Sequence, residues 1–144
     1  MAPLPASARA LLTSGALAHC VTLNADGSPQ VSGVWVGIED TADGERIVMG
    51  HVPRNAKVRN LERDPRIVLS LEATGRNAIG MQEYLVVHGT ATITAGGAGE
   101  LLQRLATVYN GPDAEFPLGP DSPPGWVVHI AVDRIGGFGP WTQS

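Results

Sequence analysis

Apolar positions along the chain recur mostly at every second residue, in short runs bounded by glycine, proline, asparagine or aspartate. Residues 18–23 (AHCVTL) alternate and are rich in β-formers, and the NADG that follows is a turn signal. Residues 29–39 (PQVSGVWVGIE) read as the returning strand, with Val31, Val34 and Val36 apolar, and Gly33 marks a bulge or a close approach by a ligand. A third strand is predicted over 46–52, and others over 66–73, 83–94 and 126–137. Helical spacing occurs only three times. It covers residues 6–13, a short segment between Pro53 and Pro65, and residues 97–109, where Leu101, Leu105 and Val108 share one face.

The predicted order is α-β-β-β-α-β-β-α-β. Hairpin links dominate, so roughly six mostly antiparallel strands closing into a barrel, with short peripheral helices, form the natural solution; a parallel sheet would need a helix after nearly every strand. The fold class is therefore mainly β (α+β), in a single domain over 1–144. Residues 110–125 form a long loop with five prolines, read either as one wall of a substrate pocket or as a surface cover.

Composition narrows the function. The chain has 144 residues, 43% apolar and 17% charged, with a net charge of −4. No broad basic field exists for nucleic acid, so any anion site must be local. The lone Cys20 cannot form an internal disulfide and reads as a small buried apolar residue, which fits a reducing cytoplasm. No apolar run approaches the length of a membrane span, and no charged leader precedes an apolar region, so no membrane partner is expected. Neither a GxGxxG nor a Walker-type loop occurs. His19, His51, His88 and His129 lack ligand spacing, so no metal is expected. His88 and His129 lie in apolar strands and read as structural, whereas His51 precedes the segment discussed next.

The segment GHVPRNAKVRNLERDP (50–65) reverses the usual order of charge along a helix. A helix N-terminus is partly positive and favours acids, yet Arg54 and Lys57 flank or occupy the first turn, and Glu62 and Asp64 come at the far end. A bound phosphate or carboxylate would resolve the conflict, held by free backbone N–H groups with Lys57 and Arg54 or Arg59. The alternative is a set of solvated cations, with Arg59 and Arg63 paired to Glu62 and Asp64. Lys57 and Asn60 share one helix face, and Val58 and Leu61 share another that should meet the core.

Three stretches carry a resemblance: TLNADGSPQVSGVWV, MGHVPRNAKVRNLERDPRIVLSLEA and YLVVHGTATIT. With AKVRNLERDPRIVLS as the most specific part, the chain resembles the split β-barrel family of pyridoxamine-phosphate-oxidase-like flavin and deazaflavin proteins over about residues 6–141. The closing GWVVHIAVDRIGGFGPW is similar to the branch that uses the deazaflavin coenzyme F420. The resemblance implies that Lys57 contacts the phosphate of the cofactor tail and that Asn60 orders the same helix end. It places Gly50 and His51 along ring and tail, and Val31, Ser32, Gly33, Val34 and Trp35 beside the ring, with backbone N–H groups of that strand available to the ring's carbonyls. Trp141 is expected near the ring pocket, from the same or a partner subunit. At one point the chain departs from the pattern. Relatives often carry arginine two positions before the lysine, where this chain has Asn55, with Arg54 one earlier; Arg54 then reaches the tail by another path or points to water.

The resemblance implies a homodimeric F420-dependent reductase that transfers hydride to an unsaturated or oxidised small organic substrate. The alternatives are an FMN-binding flavin reductase or oxidase of the same barrel, and a non-catalytic F420 carrier. In such chemistry the coenzyme carries the reaction and the protein supplies orientation and electrostatics. No catalytic residue is assigned: water, Tyr84 or a histidine is each open as proton donor. Arg54, Lys57 and Arg59 together suit a long anionic tail, whereas one compact phosphate needs fewer cations.

Overall fold

The computed structural model describes residues 3–142. Seven strands form one sheet: β1 (Ala18–Leu23), β2 (Pro29–Val34), β3 (Gly37–Thr41), β4 (Gly44–His51), β5 (Arg66–Arg76), β6 (Gln82–Ala95) and β7 (Trp126–Phe138). Three α-helices accompany them: α1 (Ala6–Leu12), α2 (Ala56–Arg63) and α3 (Ala98–Tyr109). A short 3-10 turn over Pro140–Thr142 follows β7. The strand order is β2-β1-β5-β6-β7-β4-β3, and every pairing is antiparallel.

That order makes the sheet a barrel. Its two edge strands, β2 and β3, follow each other in the chain, separated only by Trp35 and Val36. Three Cα–Cα steps span at most about 11 Å, so the first and last strands must come together. They meet without a ladder between them, and this is the split in the barrel. The split barrel is as expected, with seven strands where about six were read. Residues 29–39 read as one strand because Val31, Val34 and Val36 are all apolar, but the chain leaves one sheet edge after Val34 and joins the opposite edge at Gly37. Tyr109 serves the break: its hydroxyl accepts from the Val36 N–H (2.9 Å) and donates to the Ala16 carbonyl (3.0 Å), tying the starts of β1 and β3 to the end of α3.

Alternation fills the interior. Ala18, Cys20 and Thr22 of β1 point inward, as do Leu69 and Leu71 of β5, Leu85 and Val87 of β6, and Val128 and Ile130 of β7. Burying a residue such as Leu69, Leu85 or Ile130 contributes about 1.5–3 kcal/mol each. In β4 the pattern is different: Ile47, Val48 and Met49 are all buried, because α3 covers the outer face there. Val48 and Val127 meet Leu101 and Leu105 in a second apolar cluster. The buried stripe of α3 is Ala98, Leu101, Leu102, Leu105 and Ala106; Val108, expected on that stripe, is exposed.

Helix α2 sits where the sequence predicts, and Val58 and Leu61 are buried as their spacing requires. Its Asn60 is buried too. The Asn60 amide donates to Thr22 Oγ1 (3.1 Å) and Asn24 Oδ1 (3.0 Å), and its oxygen accepts from Arg63 (3.0 Å). These bonds hold the helix against the end of β1, leaving its first turn beside the end of β4.

Candidate functional site

The seam gathers a cleft of about 240 Å³. Six residues singled out in the sequence line it: Gly33, Val34, Trp35, Gly50, His51 and Lys57. Leu17, Leu102 and Phe116 complete the lining. Topology explains the convergence. Gly33 and Val34 end the edge strand β2, Trp35 stands in the break, Gly50 and His51 end β4, and Lys57 lies in the first turn of α2. Gly50 also lets α3 come close, since a Cβ there would stand 3.3 Å from Leu102 Cγ.

The cations divide sharply. Arg54 makes a bidentate pair with Glu62 (2.9 and 3.0 Å), and Arg59 donates to the Arg54 carbonyl (2.7 Å). Arg63 donates to the Leu23 carbonyl (2.9 Å), and Asp64 pairs with Arg66 (2.7 Å). Glu62 and Asp64 therefore take Arg54 and Arg66, not the expected Arg59 and Arg63. Among the described residues no ion pair engages Lys57, which is half-buried at the cleft. The first turn of α2 holds no acid, and its cap is Asn55, whose side-chain oxygen accepts from the Val58 N–H (3.1 Å). That oxygen is thus spent on the helix. Of the three cations thought to form one cluster, Lys57 alone lines the cleft.

His51 is the second polar group of the lining. It is 8% exposed, and its Nε2 is buried with no hydrogen-bond partner. Burial pushes its imidazole down to about 4, and the Lys57 ammonium presses the same way. At neutral pH the ring is therefore uncharged, ready to donate or accept a hydrogen bond but not to hold a second proton. Cys20 is buried, and burial pushes its thiol up to about 11 against a smaller pull from Lys57. It stays protonated and is no nucleophile.

The remaining sequence candidates fall elsewhere. Val31 is 59% exposed on the outward side of β2. Ser32 points inward, directly opposite Cys20, with its Oγ buried and unpartnered. Trp141 does not line the cleft within the chain. It is buried in the main core and borders a separate hollow with Leu4, Val132 and Ile135, and its Nε1 has no partner. Tyr84 stacks edge-on against Phe138 (5.6 Å, 84°), also outside the cleft lining.

Three lining residues escaped the sequence reading. Leu102 lies one position from the Leu101–Leu105 stripe, and helical spacing alone includes it. Phe116 is the single aromatic in the proline loop, a usable signal. Leu17, half exposed between α1 and β1, belongs to no period.

The strand order, with the seam between β2 and β3 left open, makes this a split antiparallel barrel. The chain belongs to the pyridoxamine 5'-phosphate oxidase family, whose sequence profile matches residues 4–138. No curated protein sequence matches it. Among solved structures it is similar to an F420 reductase, with 24% identity and a TM-score of 0.72, covering 92% of this chain and 98% of that one. It is also similar to HupZ from Group A Streptococcus (20% identity, TM-score 0.64, 93% and 94% covered). A FAD-binding protein from Mesorhizobium loti matches to a like degree (20% identity, TM-score 0.62, 93% and 94% covered). At these identities the shared feature is the fold.

Proposed function

We propose that the protein is a reductase that binds the deazaflavin coenzyme F420 in the seam cleft and passes hydride to an unsaturated or oxidised small organic substrate. The observation that carries this reading is the pairing of Lys57, free of any ion pair among the described residues, with the unpartnered Nε2 of His51 in one cleft. A buried polar atom without a partner is unfavourable until a ligand supplies the missing group, and the half-buried lysine beside it offers an anion a charge-assisted bond.

In this reading Lys57 binds the phosphate of the coenzyme tail. His51, neutral at pH 7, gives a hydrogen bond to a polar atom of ring or tail. Gly33, Val34 and Trp35 flank the ring, and the outward N–H groups of edge strand β2 are available to its carbonyls. Bound there, the coenzyme supplies hydride from a ring carbon; the chain's part is to orient the reactants and keep water out, worth up to roughly 7–11 kcal/mol when alignment is good. With His51 held neutral and Tyr84 outside the lining, the proton that completes reduction comes from solvent. The similarity in fold to an F420 reductase adds weight to this choice. The working unit in this reading is a homodimer: Leu17 and Val31, at and beside the cleft, are 50% and 59% exposed and available to a second copy. Sedimentation equilibrium that returned a monomer at micromolar concentration would remove that part.

FMN is the second reading, and one observation favours it. With Arg54 committed to Glu62, a single free lysine suits one compact phosphate better than a long anionic tail. Titrating the purified protein with F420 and, separately, with FMN, followed by absorbance, decides between them. In the same assay Lys57→Ala is expected to weaken the tighter ligand by about 1.5–3 kcal/mol, on the order of 10- to 100-fold. Equal affinity in the variant would remove the role given to Lys57. Oxidation of reduced F420 by a quinone or enone separates an enzyme from a carrier, which would bind without turnover.

A further inference from the structure

Phe116 reaches the cleft from residues 110–125, the longest stretch without helix or strand, and Gln103 holds it there. Gln103 lies on the exposed face of α3. Its Nε2 donates to the Ala114 carbonyl (2.9 Å), and its Oε1 accepts from the Phe116 backbone N–H (2.9 Å). One side-chain amide thus engages both backbone groups that flank residue 115, as a neighbouring strand would. These are the two side-chain hydrogen bonds to the loop backbone among the described residues. Within the loop the Ala114 N–H bonds the Gly111 carbonyl (3.0 Å), Leu118 N–H that of Phe116 (2.8 Å) and Ser122 N–H that of Gly119 (3.1 Å), and at its end the Pro124 and Gly125 carbonyls accept from Ala98 (3.2 Å) and Gly96 (2.7 Å). Its prolines lower the entropy lost on ordering. Leu118 packs onto α3 at Gly99, where a Cβ would stand 3.0 Å from Leu118 Cδ1. The Phe116 ring then meets Trp35 edge-on (6.1 Å, 74°), and Trp35 stacks on Tyr109 of the same helix (5.2 Å, 15°).

We propose that Phe116 is a specificity-determining wall of the cleft and that Gln103 is its positioning residue. By clamping Ala114 and Phe116, α3 fixes how far the phenyl ring stands from the rest of the lining, and so the width of ligand admitted. Lys57 selects for charge, while Phe116, an apolar edge, selects the apolar body of the acceptor by size. The inference rests on the reading of the cleft as the coenzyme and substrate site.

The test uses the full chain as wild type, Gln103→Ala, Gln103→Glu and Phe116→Ala. Hydrogen exchange of the protein alone reads the clamp. Gln103→Ala is expected to speed exchange at the Phe116 amide by about tenfold or more, while Gln103→Glu, which keeps an acceptor for that amide, retains most of the protection. Turnover reads selectivity with two acceptors of different size, cyclohexenone and the bulkier menadione, each compared with its own wild-type value. In Gln103→Ala and Phe116→Ala the ratio of kcat/KM, bulky over small, is expected to rise by at least about fivefold. Unchanged exchange in Gln103→Ala overturns the clamp. Faster exchange with an unchanged ratio overturns the selectivity role. Both outcomes, in a protein that binds and turns over its coenzyme normally, leave the proposed function standing. A wild type that takes neither F420 nor FMN sinks that function and the selectivity role with it, and the exchange result still decides whether Gln103 holds the loop.

Discussion

Gly125→Ala is expected to cost roughly 2–5 kcal/mol of stability, the sum of a left-handed backbone and an overpacked contact. Gly125 has φ +68°, and a Cβ there would stand 2.5 Å from the His51 carbonyl oxygen, 2.7 Å from Ala98 Cβ and 3.0 Å from Val52 Cα. Those neighbours are the end of β4, the start of α3 and the chain leading into α2, all packed onto the residue that precedes β7. None of them is the loose tip of a flexible side chain, so the backbone itself must shift. Gly27 provides the comparison. It has φ +85° in the turn between β1 and β2, with nothing within 4 Å of its Cβ position. Gly27→Ala should therefore show the conformational penalty alone, about 1–2 kcal/mol. Urea unfolding with an unchanged slope reads both. Equal losses in the two variants would mean that the close packing at Gly125 carries no energy. The same shift would move His51, so the surviving folded Gly125→Ala protein should also bind its ligand more weakly.

Acid should destabilise the fold through His51. The buried imidazole sits at about 4 in the folded chain, against an ordinary value of 6.5, chiefly through burial and secondarily through Lys57. Between those two values the unfolded chain binds a proton that the folded chain refuses. Stability contributed by the neutral ring is therefore full above about 6.5 and is lost as pH falls toward 4. The loss is about 3 kcal/mol across that window. Asp64 does not confuse the reading: hydrogen bonds from Arg66 hold its carboxyl at about 2, below the window. His51→Gln keeps a polar side chain that does not titrate. Its urea midpoint should fall less between pH 7 and pH 4 than that of wild type, by an amount worth about 3 kcal/mol. Lys57→Met, by removing the second cause, should let the imidazole rise part of the way toward its ordinary value and so give an acid loss smaller than that of wild type. Identical acid profiles for wild type and His51→Gln would show that the imidazole is not held neutral by its surroundings.

Much of the fold was legible because its strands alternate cleanly and its turns carry glycine, proline or aspartate. Boundaries of α1, α2 and α3 fall within a residue or so of the pattern. The break at Trp35–Val36 was not legible. Apolar residues continue through it, since Val34 and Val36 are both buried, and nothing local announces that they belong to opposite edges of one sheet. The site was legible where it is built from consecutive residues: Gly33–Trp35, Gly50–His51 and Lys57 all meet. It was not legible where partners are remote. The Arg54–Glu62 pair spans eight residues of sequence and takes away a cation that had looked free. Leu17, Leu102 and Phe116 come from three separate places, joined only by the packing of α3 against the seam.

In the proposed function the seam cleft receives an anionic redox coenzyme through Lys57, with the buried nitrogen of His51 as its second polar partner. A crystal structure of the protein grown with saturating F420 or FMN tests it directly. The expected result is a phosphate oxygen about 2.7–3.2 Å from Lys57 Nζ, a coenzyme atom hydrogen-bonded to His51 Nε2, and the ring beside Gly33–Trp35. A coenzyme bound at another surface, with Lys57 facing water and His51 Nε2 still unpartnered, would contradict it.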